Sequence, residues 1–184
     1  MPSGGADGRS VGATAASYAP PETPHGGERP HMVVEIGQDA PDFELKDQDN
    51  EAVTLSSFRG ESAVALVFYP FTFTGVCEGE LCSLRDDHST FTDAGVQVVA
   101  ISCDTRFAQA RWAEAMGYQF PVLSDFWPHG EVARSYGVFN EALGCANRAT
   151  FLVDREGVVV DRFETGGLGE SRTSSRYAEA LTKL

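Results

Sequence analysis

A continuous apolar run, AVALVFYPF, covers residues 63–71 and is interrupted only by a proline near its end. Its β-branched and aromatic residues favour a β-strand, and the lack of polar alternation indicates that both faces of this strand are buried. The run is too short to span a membrane, which needs about 20 apolar residues. Strands of this kind occur in sheets that helices cover on both sides. The run therefore predicts an α/β fold.

Helical and extended segments alternate after this run. CEGELCSLRDDHSTFTDA predicts a helix that begins near Cys77 and ends near Gly95, and VQVVAISCD predicts a second buried strand. A second amphipathic helix is expected from Thr105, with Phe107 among its inward-facing residues and a glycine at its end. FPVLSD and HGEVARSYG add a short strand and a short helix. This β-α-β-α order is typical of an α/β domain.

Antiparallel pairs are expected at both ends of the domain. Residues 42–45 and 52–55 are extended segments around the turn-forming sequence KDQDN, and ATFLVDREGVVVDRFE is typical of two strands joined at DREG. A final amphipathic helix is expected from Ser174. We therefore predict a central mixed β-sheet flanked by helices, with an N-terminal β-hairpin.

The first 32 residues differ in composition from the rest of the chain. They are rich in Gly, Pro, Ser and Ala, and they lack the positively charged start and the continuous apolar core of a secretory signal. We therefore expect a disordered tail over residues 1–32 and a single domain over residues 33–184.

Charge and cysteine content argue against several functions. The chain has 27 acidic and 14 basic residues, and its net charge of −13 disfavours binding to nucleic acid or to an anionic membrane surface. Four cysteines in 184 residues, without a secretory signal, indicate reactive or buried thiols in a reducing compartment. We expect a cytoplasmic protein that binds neither nucleic acid nor membranes.

Cys77 follows the apolar strand at the point where the next helix is expected to begin. A thiol in the first turn of a helix faces unpaired backbone N–H groups and the positive end of the helix dipole, which favour the thiolate. Thr74 is expected to cap the helix or to offer its hydroxyl to the sulfur, and Gly75 allows close backbone approach. The same position also suits a structural cysteine buried beside a helix cap.

Pro70, Thr74 and Cys77 form the pattern P-x-x-x-T-x-x-C, which resembles the active-site motif of peroxiredoxins. The segments GQDAPDFELKDQDNEAVTLSSFRG, SDFWPHGEVARSYGVFNE and ANRATFLVDREGVV extend the resemblance over residues 34–184 and look most like the AhpE-type branch. The resemblance implies a thioredoxin-like fold, a homodimer, and no metal or organic cofactor. It also implies a thiol-dependent peroxidase that reduces hydrogen peroxide, alkyl hydroperoxides or peroxynitrite.

The resemblance implies a role for each motif residue. Cys77 matches the peroxidatic cysteine, Thr74 its hydroxyl partner and Pro70 the proline that shields the thiolate. Arg148 matches the arginine that completes the site, and Glu80 an acidic residue three positions after the cysteine. Thiolate attack on an O–O bond develops charge on the departing oxygen, so such a site needs fixed hydrogen-bond donors. The guanidinium of Arg148 carries a permanent charge and several donors.

Attack on peroxide leaves Cys77 as a sulfenic acid, which a second thiol must reduce before oxidation proceeds further. Cys82 is nearest, but five residues on an ideal helix separate two Cα atoms by about 8.6 Å, whereas a disulfide tolerates less than about 7 Å. The helix must therefore unwind around Gly79 if Cys82 is the resolving thiol, an arrangement that resembles PrxQ-type peroxiredoxins. Cys145, in the loop LGCANR, is a second candidate. An external thiol is the third: thioredoxin, a mycoredoxin-like protein or a small thiol.

The remaining cysteine and the aromatic residues near the motif are expected in the core. Cys103 ends a buried strand, and free cysteines are commonly buried. Phe71, Phe73 and Trp127 are large apolar residues with the same preference. We therefore expect these four side chains to serve packing.

Other functions fit part of the sequence. A disulfide reductase of the thioredoxin type would need a CxxC motif and a proline before the strand that faces the site, where this chain has Ala149 and Thr150. A peroxide sensor would use oxidation of Cys77 to expose an interface, and unwinding between Cys77 and Cys82 would provide that change. A metal site is disfavoured, because Cys77, Cys82 and His88 match no zinc-binding spacing.

Overall fold

A computed structural model describes residues 33–184. Residues 1–32, for which we predicted a disordered tail, lie outside the described residues, so this domain boundary stays a prediction. Within residues 33–184, no helix is long and apolar enough to cross a membrane.

Strands and helices alternate along the described residues. The strands are β1 (Glu44–Lys46), β2 (Ala52–Thr54), β3 (Ala63–Phe68), β4 (Val96–Ser102), β5 (Val122–Ser124), β6 (Phe139–Asn140), β7 (Cys145–Ala146), β8 (Ala149–Val153) and β9 (Val159–Glu164). The α-helices are α1 (Gly75–Asp86), α2 (His88–Asp93), α3 (Arg106–Met116), α4 (Glu131–Ser135) and α5 (Ser174–Leu181), and a short 3-10 helix covers Leu55–Phe58.

Seven strands form one mixed sheet in the order β2-β1-β5-β4-β3-β8-β9. β3, β4 and β5 are parallel neighbours joined by helices, whereas the β1–β2 hairpin and the β8–β9 hairpin are antiparallel. Every residue of β3 is buried, as the apolar run predicted. The predicted mixed sheet with flanking helices and an N-terminal hairpin is confirmed.

Two apolar cores lie on opposite faces of this sheet. Alternate residues of a strand point to opposite faces, and Ala65 and Val67 belong to one core while Leu66 and Phe68 belong to the other. Residues of α1, α2, α3 and α5 complete the first core, and residues of α4 complete the second. Cys77 belongs to the first core, so the helix that carries it is packed directly on the sheet.

Two predictions about helices are wrong. The helix expected to continue from Cys77 to Gly95 is broken at Asp87, whose backbone (φ −91°, ψ 9°) leaves the helical conformation and separates α1 from α2. In α3 the buried residues include Gln109 and Trp112, whereas Phe107 is exposed. Gln109 enters the core because its amide donates hydrogen bonds to the Ser102 hydroxyl and the Leu123 carbonyl.

The carboxyl ends of β3, β4 and β5 meet at one edge of the sheet, because these strands are parallel. In open α/β sheets this edge is the usual position of a ligand or reaction site. β8 runs in the opposite direction and pairs Ala149 with Phe68 at the end of β3. Arg148, one residue before β8, therefore lies at the same edge as the segment that leads from β3 to Cys77.

Candidate active site

Cys77 lies in the first turn of α1, and its side chain is fully buried. The helix begins at Gly75 after an extended residue, Thr74, whose carbonyl accepts the N–H of Glu78 at 2.9 Å. The first N–H groups of a helix have no partners within it, and together with the helix dipole they favour negative charge at this position. The expected position of Cys77 at a strand-to-helix junction is thus found.

Arg148 contacts the Cys77 sulfur directly. Its Nη2 lies 3.1 Å from Sγ of Cys77, and both residues are buried. Its Nε donates to the Leu168 carbonyl at 2.7 Å, and its Nη1 donates to Oε2 of Glu80 at 2.5 Å. Three separate contacts therefore fix the orientation of the guanidinium. The structure brings together Cys77, Glu80 and Arg148, which the sequence resemblance had assigned to one site.

Glu80 lies one turn after Cys77 and is paired with two arginines. Its Oε1 accepts the backbone N–H of Arg172 at 2.6 Å and Nε of Arg172 at 3.1 Å, while Oε2 accepts Nη2 of Arg172 at 3.1 Å. Burial by itself would raise the pKa of Glu80, but the hydrogen bonds and charge of Arg172, with the charge of Arg148, hold it below its ordinary value. The carboxylate therefore stays ionised between two guanidinium groups.

Arg172 was missed by the sequence analysis. It is buried, and its Nη1 also donates to the Ala149 carbonyl at 2.7 Å and to the Thr150 hydroxyl at 3.0 Å. Its sequence context, TGGLGESRTSS, is polar and has no periodicity that would indicate burial. The only available signal was indirect, since a buried Glu80 needs compensating positive charge.

The segment between β3 and α1 carries Pro70 and Thr74. The Thr74 hydroxyl donates its one proton to the Phe71 carbonyl at 3.0 Å and caps no helix N–H, so neither of its two predicted roles, capping the helix and donating to the sulfur, is found. The hydroxyl is used inside the loop instead. Phe73 has a φ of 58°, a left-handed conformation that costs a bulky residue on the order of 1 to 3 kcal/mol. The loop before Cys77 is therefore held in a conformation that its own sequence does not favour.

A surface cavity of about 320 Å³ opens beside Cys77. Pro70, Phe71, Val76 and Leu168 give it apolar walls, and Thr74 and Arg148 also line it. Cys77 itself does not line this cavity, but Arg148 reaches both the cavity and the Cys77 sulfur and so connects the two.

Cys82 lies on the same continuous helix as Cys77, and both are free thiols. Its side chain is half-buried against the core that also contains Tyr118. The intact helix keeps the two Cα atoms near the separation of about 8.6 Å expected from helix geometry, beyond the reach of a disulfide. A side chain built at Gly79, between them, would meet no other atom within 4 Å.

The other two cysteines are buried. Burial, with smaller contributions from neighbouring acidic groups, raises the pKa of Cys103 to about 12, which agrees with the predicted core position. Cys145 does not lie in a loop as expected; it pairs with Asn140 in the β6–β7 hairpin and is fully buried. Burial also raises the pKa of Cys145. A raised pKa lowers the thiolate fraction, so it disfavours rapid thiol exchange at both cysteines.

The aromatic residues near the motif are on the surface, contrary to prediction. Phe73 is 56% exposed and Trp127 is 81% exposed, while Phe71 is 38% exposed. They lie in the segments that follow β3 and β5 at the carboxyl edge of the sheet. Within residues 33–184, no cluster of three or more His, Cys, Asp or Glu side chains could hold a metal ion.

Comparisons with known proteins agree with this geometry. A model of the AhpC/TSA family matches residues 36–162. The chain is 46% identical over 153 residues to alkyl hydroperoxide reductase E of Mycobacterium tuberculosis, a match that covers 83% of this chain and 99% of that protein. It is 32% identical over 160 residues to peroxiredoxin Bcp of Bacillus subtilis, covering 83% of this chain and 96% of that one.

A solved structure supports the same assignment. The crystal structure of peroxidoxin BcpB from Mycobacterium tuberculosis superposes with a TM-score of 0.72 at 31% identity, over 82% of this chain and 96% of that one. The thioredoxin-like fold implied by the sequence resemblance is confirmed. The chain therefore belongs to the AhpC/TSA family and is a peroxiredoxin, a thiol-dependent peroxidase.

Proposed function

We propose that Cys77 is the thiol that reacts with peroxide. The observation that carries this proposal is the contact of 3.1 Å between Nη2 of Arg148 and Sγ of Cys77 at the first turn of α1. A permanent positive charge and a helix N-terminus both stabilise negative charge that develops beside them. The proposed substrates are hydrogen peroxide, alkyl hydroperoxides and peroxynitrite, and the apolar walls of the adjoining cavity suit an alkyl group.

In the proposed reaction the Cys77 thiolate attacks one oxygen of the peroxide. The S–O bond forms as the O–O bond breaks, and the sulfur becomes a sulfenic acid. The departing group takes up a proton and leaves as water from hydrogen peroxide or as an alcohol from an alkyl hydroperoxide, and it leaves as nitrite from peroxynitrite. Arg148 is suited to donate hydrogen bonds to the oxygens while charge develops. The Thr74 hydroxyl donates its proton to the Phe71 carbonyl, so its oxygen would orient the peroxide by accepting a hydrogen bond from it, and Pro70 would limit access of water to the thiolate.

Cys82 is proposed as the resolving thiol. Its sulfur would attack the sulfenic acid of Cys77, which forms a disulfide and releases water, and an external thiol would then reduce the disulfide. This step requires α1 to unwind around Gly79. Cys82 is favoured over Cys145, because Cys82 is partly exposed whereas Cys145 is fully buried and its pKa is raised by burial. Thioredoxin, a mycoredoxin-like protein or a small thiol would supply the electrons.

A homodimer through the active-site face is proposed as the assembled form. The segments after β3, β4 and β5 share one edge of the sheet, and most of the exposed large apolar side chains are on or near them. These side chains are Phe71, Phe73, Phe107, Phe126, Trp127 and Leu143. Exposed apolar patches of this kind mark interaction surfaces. Analytical ultracentrifugation should show a dimer that Trp127→Ser weakens, while Ile36→Ser, an exposed residue elsewhere, should leave it intact; a monomeric wild type would refute the dimer.

The reaction is tested by adding one equivalent of hydrogen peroxide to the reduced protein. The wild type should react within milliseconds and lose two hydrogens in mass as the disulfide forms. Cys82→Ser should instead gain one oxygen, and Cys77→Ser should not react. Slow reaction of the wild type, or fast reaction of Cys77→Ser, would refute the assignment of Cys77. A stable sulfenic acid in the wild type would remove Cys82 from the mechanism.

A peroxide sensor is the alternative function, since unwinding of α1 would also change the protein surface around Cys77. The two functions differ in turnover. With excess peroxide and a thiol reductant, a peroxidase consumes many equivalents of peroxide, whereas a sensor is oxidised once.

We place the enzyme in the cytoplasm by proposal, because its free cysteines suit a reducing compartment. Secretion of the protein in its oxidised form would contradict this.

A further inference from the structure

We propose that Asp104 is a positioning residue for peroxide reduction, because its side chain holds the loop between Pro70 and Thr74 in the conformation that presents Cys77. The inference rests on the proposed role of Cys77. Within residues 33–184, the hydrogen bonds of Asp104 go to Thr72, Ser102 and Ser124, and none goes to Cys77 or Arg148. It acts on the segment that joins β3 to α1.

The Asp104 carboxylate bonds to the middle of this loop. Its Oδ2 accepts the backbone N–H of Thr72 at 2.8 Å. Thr72 is buried and lies midway between Pro70, which lines the cavity, and Thr74, the residue before α1. A buried N–H needs a partner, so without this bond the loop would shift to find one. The position of the first turn of α1 depends on the path of this loop.

Asp104 is itself held rigidly. The same Oδ2 accepts the hydroxyl of Ser102 at 2.9 Å, and the Asp104 carbonyl accepts the hydroxyl of Ser124 at 2.7 Å. Ser102 is fully buried and also accepts the side-chain amide of Gln109 at 3.0 Å. The carboxylate is therefore bonded to β4 through Ser102, which α3 holds in turn through Gln109, while β5 holds the Asp104 backbone through Ser124. A rigid acceptor of this kind can determine where the loop lies.

The residue after Thr72 has a second contact with the same part of the fold. Phe73 adopts its left-handed φ of 58°, and its ring lies 6.0 Å from that of Trp112, on α3. Bulky residues keep such a conformation only where the surrounding structure imposes it. The Asp104 bond at Thr72 and the Trp112 contact at Phe73 both act on this part of the loop. Asp104, between β4 and α3, and Trp112, on α3, thus contact two consecutive residues of the loop.

The negative charge of Asp104 does not explain its presence. Burial is the main cause of the raised pKa values of Tyr69 and Cys145, and the charge of Asp104 raises both further. The charge of Asp104 is therefore felt by buried groups near the site. A buried negative charge is costly unless it is hydrogen-bonded. Asp104 therefore serves as a hydrogen-bond acceptor, and both side-chain bonds end on a single oxygen. An asparagine carbonyl oxygen has two lone pairs and can accept both bonds.

The experiment compares three variants by stopped-flow oxidation of Cys77 with hydrogen peroxide. Asp104→Ala should lower the second-order rate constant at least about tenfold, because small displacements of reacting groups cost about a hundredfold per ångström. Asp104→Asn should stay within about threefold of wild type, because it keeps the acceptor. Ser124→Ala is the matched control: it removes a hydrogen bond to the Asp104 backbone and leaves the Thr72 contact, so its rate should also stay within about threefold.

The rescue by asparagine separates positioning from general stability. The inference would be overturned if Asp104→Ala reacted as fast as Ser124→Ala. It would also be overturned if Asp104→Asn reacted as slowly as Asp104→Ala. If Asp104→Ala does not fold, amide hydrogen exchange on the wild type and Asp104→Asn decides: the Thr72 amide should be protected in both, and rapid exchange in either would overturn the inference. A wild-type Cys77 that does not react would instead refute the proposed function, and this inference with it.

Discussion

Replacement of Gly79 by alanine tests whether α1 unwinds during the catalytic cycle. Gly79 lies between Cys77 and Cys82, its φ is not in the left-handed region, and an added Cβ would meet no atom within 4 Å. The substitution therefore changes helix propensity with no new contact. Alanine stabilises a helix interior by about 1 kcal/mol relative to glycine, so unwinding becomes about fivefold less favourable. Disulfide formation should slow by about fivefold, while the first reaction with peroxide should keep its rate.

The assay separates these two steps. Tryptophan fluorescence in a stopped-flow instrument follows oxidation of Cys77. Formation of the disulfide is followed by mass spectrometry of samples quenched with a thiol-alkylating reagent. Gly79→Ala in a Cys82→Ser background is the control, since only the first step remains there and its rate should match that of Cys82→Ser. An unchanged rate of disulfide formation in Gly79→Ala would refute the unwinding, and so would an equal slowing of both steps.

Three further predictions concern the buried groups around the site. Arg148→Ala should slow oxidation of Cys77 by about 10² to 10³, the usual cost of losing one donor to a developing charge, and an unchanged stopped-flow rate would contradict its role. The pKa of Glu80 is held below its ordinary value near 4.5, so the stability from its ion pairs is present above pH 4.5 and is lost as the pH falls below it. Urea unfolding of Glu80→Gln should show a smaller loss of unfolding free energy in this acidic range than the wild type. If the variant loses as much stability as the wild type, Glu80 is not the source of the loss. Cys103 and Cys145, whose pKa values are raised by burial, should resist alkylation at pH 8 in the native protein and react after unfolding; labelling of native Cys145 would reopen it as a resolving thiol.

Much of the fold could be predicted because its signals are local. The buried strand β3 is a continuous apolar run, and the helices and hairpins around it have clear periodicity and turn residues. The errors come from tertiary contacts. Gln109 is buried because its amide donates to the Ser102 hydroxyl and the Leu123 carbonyl. Phe107 is exposed because it lies in the first turn of α3, at the edge of the sheet. A polar residue inside and an apolar residue outside both reverse what periodicity predicts.

The candidate site divides in the same way. Pro70, Thr74 and Cys77 lie within eight residues, so their pattern is visible in the sequence. Arg148 came only from resemblance, because 71 residues separate it from the thiol it contacts. Arg172 and Asp104 act through other groups, at Glu80 and at the Thr72 backbone, and neither has a spacing that indicates this. Residues that support a site from a distance leave the weakest trace in a single sequence.

The break between α1 and α2 limits how far the protein must open to form a disulfide. α1 ends at Asp86 and α2 begins at His88 with its own buried residue, Phe91, which contacts Tyr177 of α5. Loss of the first turns of α1 would therefore leave α2 and its packing in place. Unwinding around Gly79 would move Cys77 and Leu81, which belong to the first core, but the same break that contradicted a single long helix would keep this movement from spreading into α2 and its contact with α5.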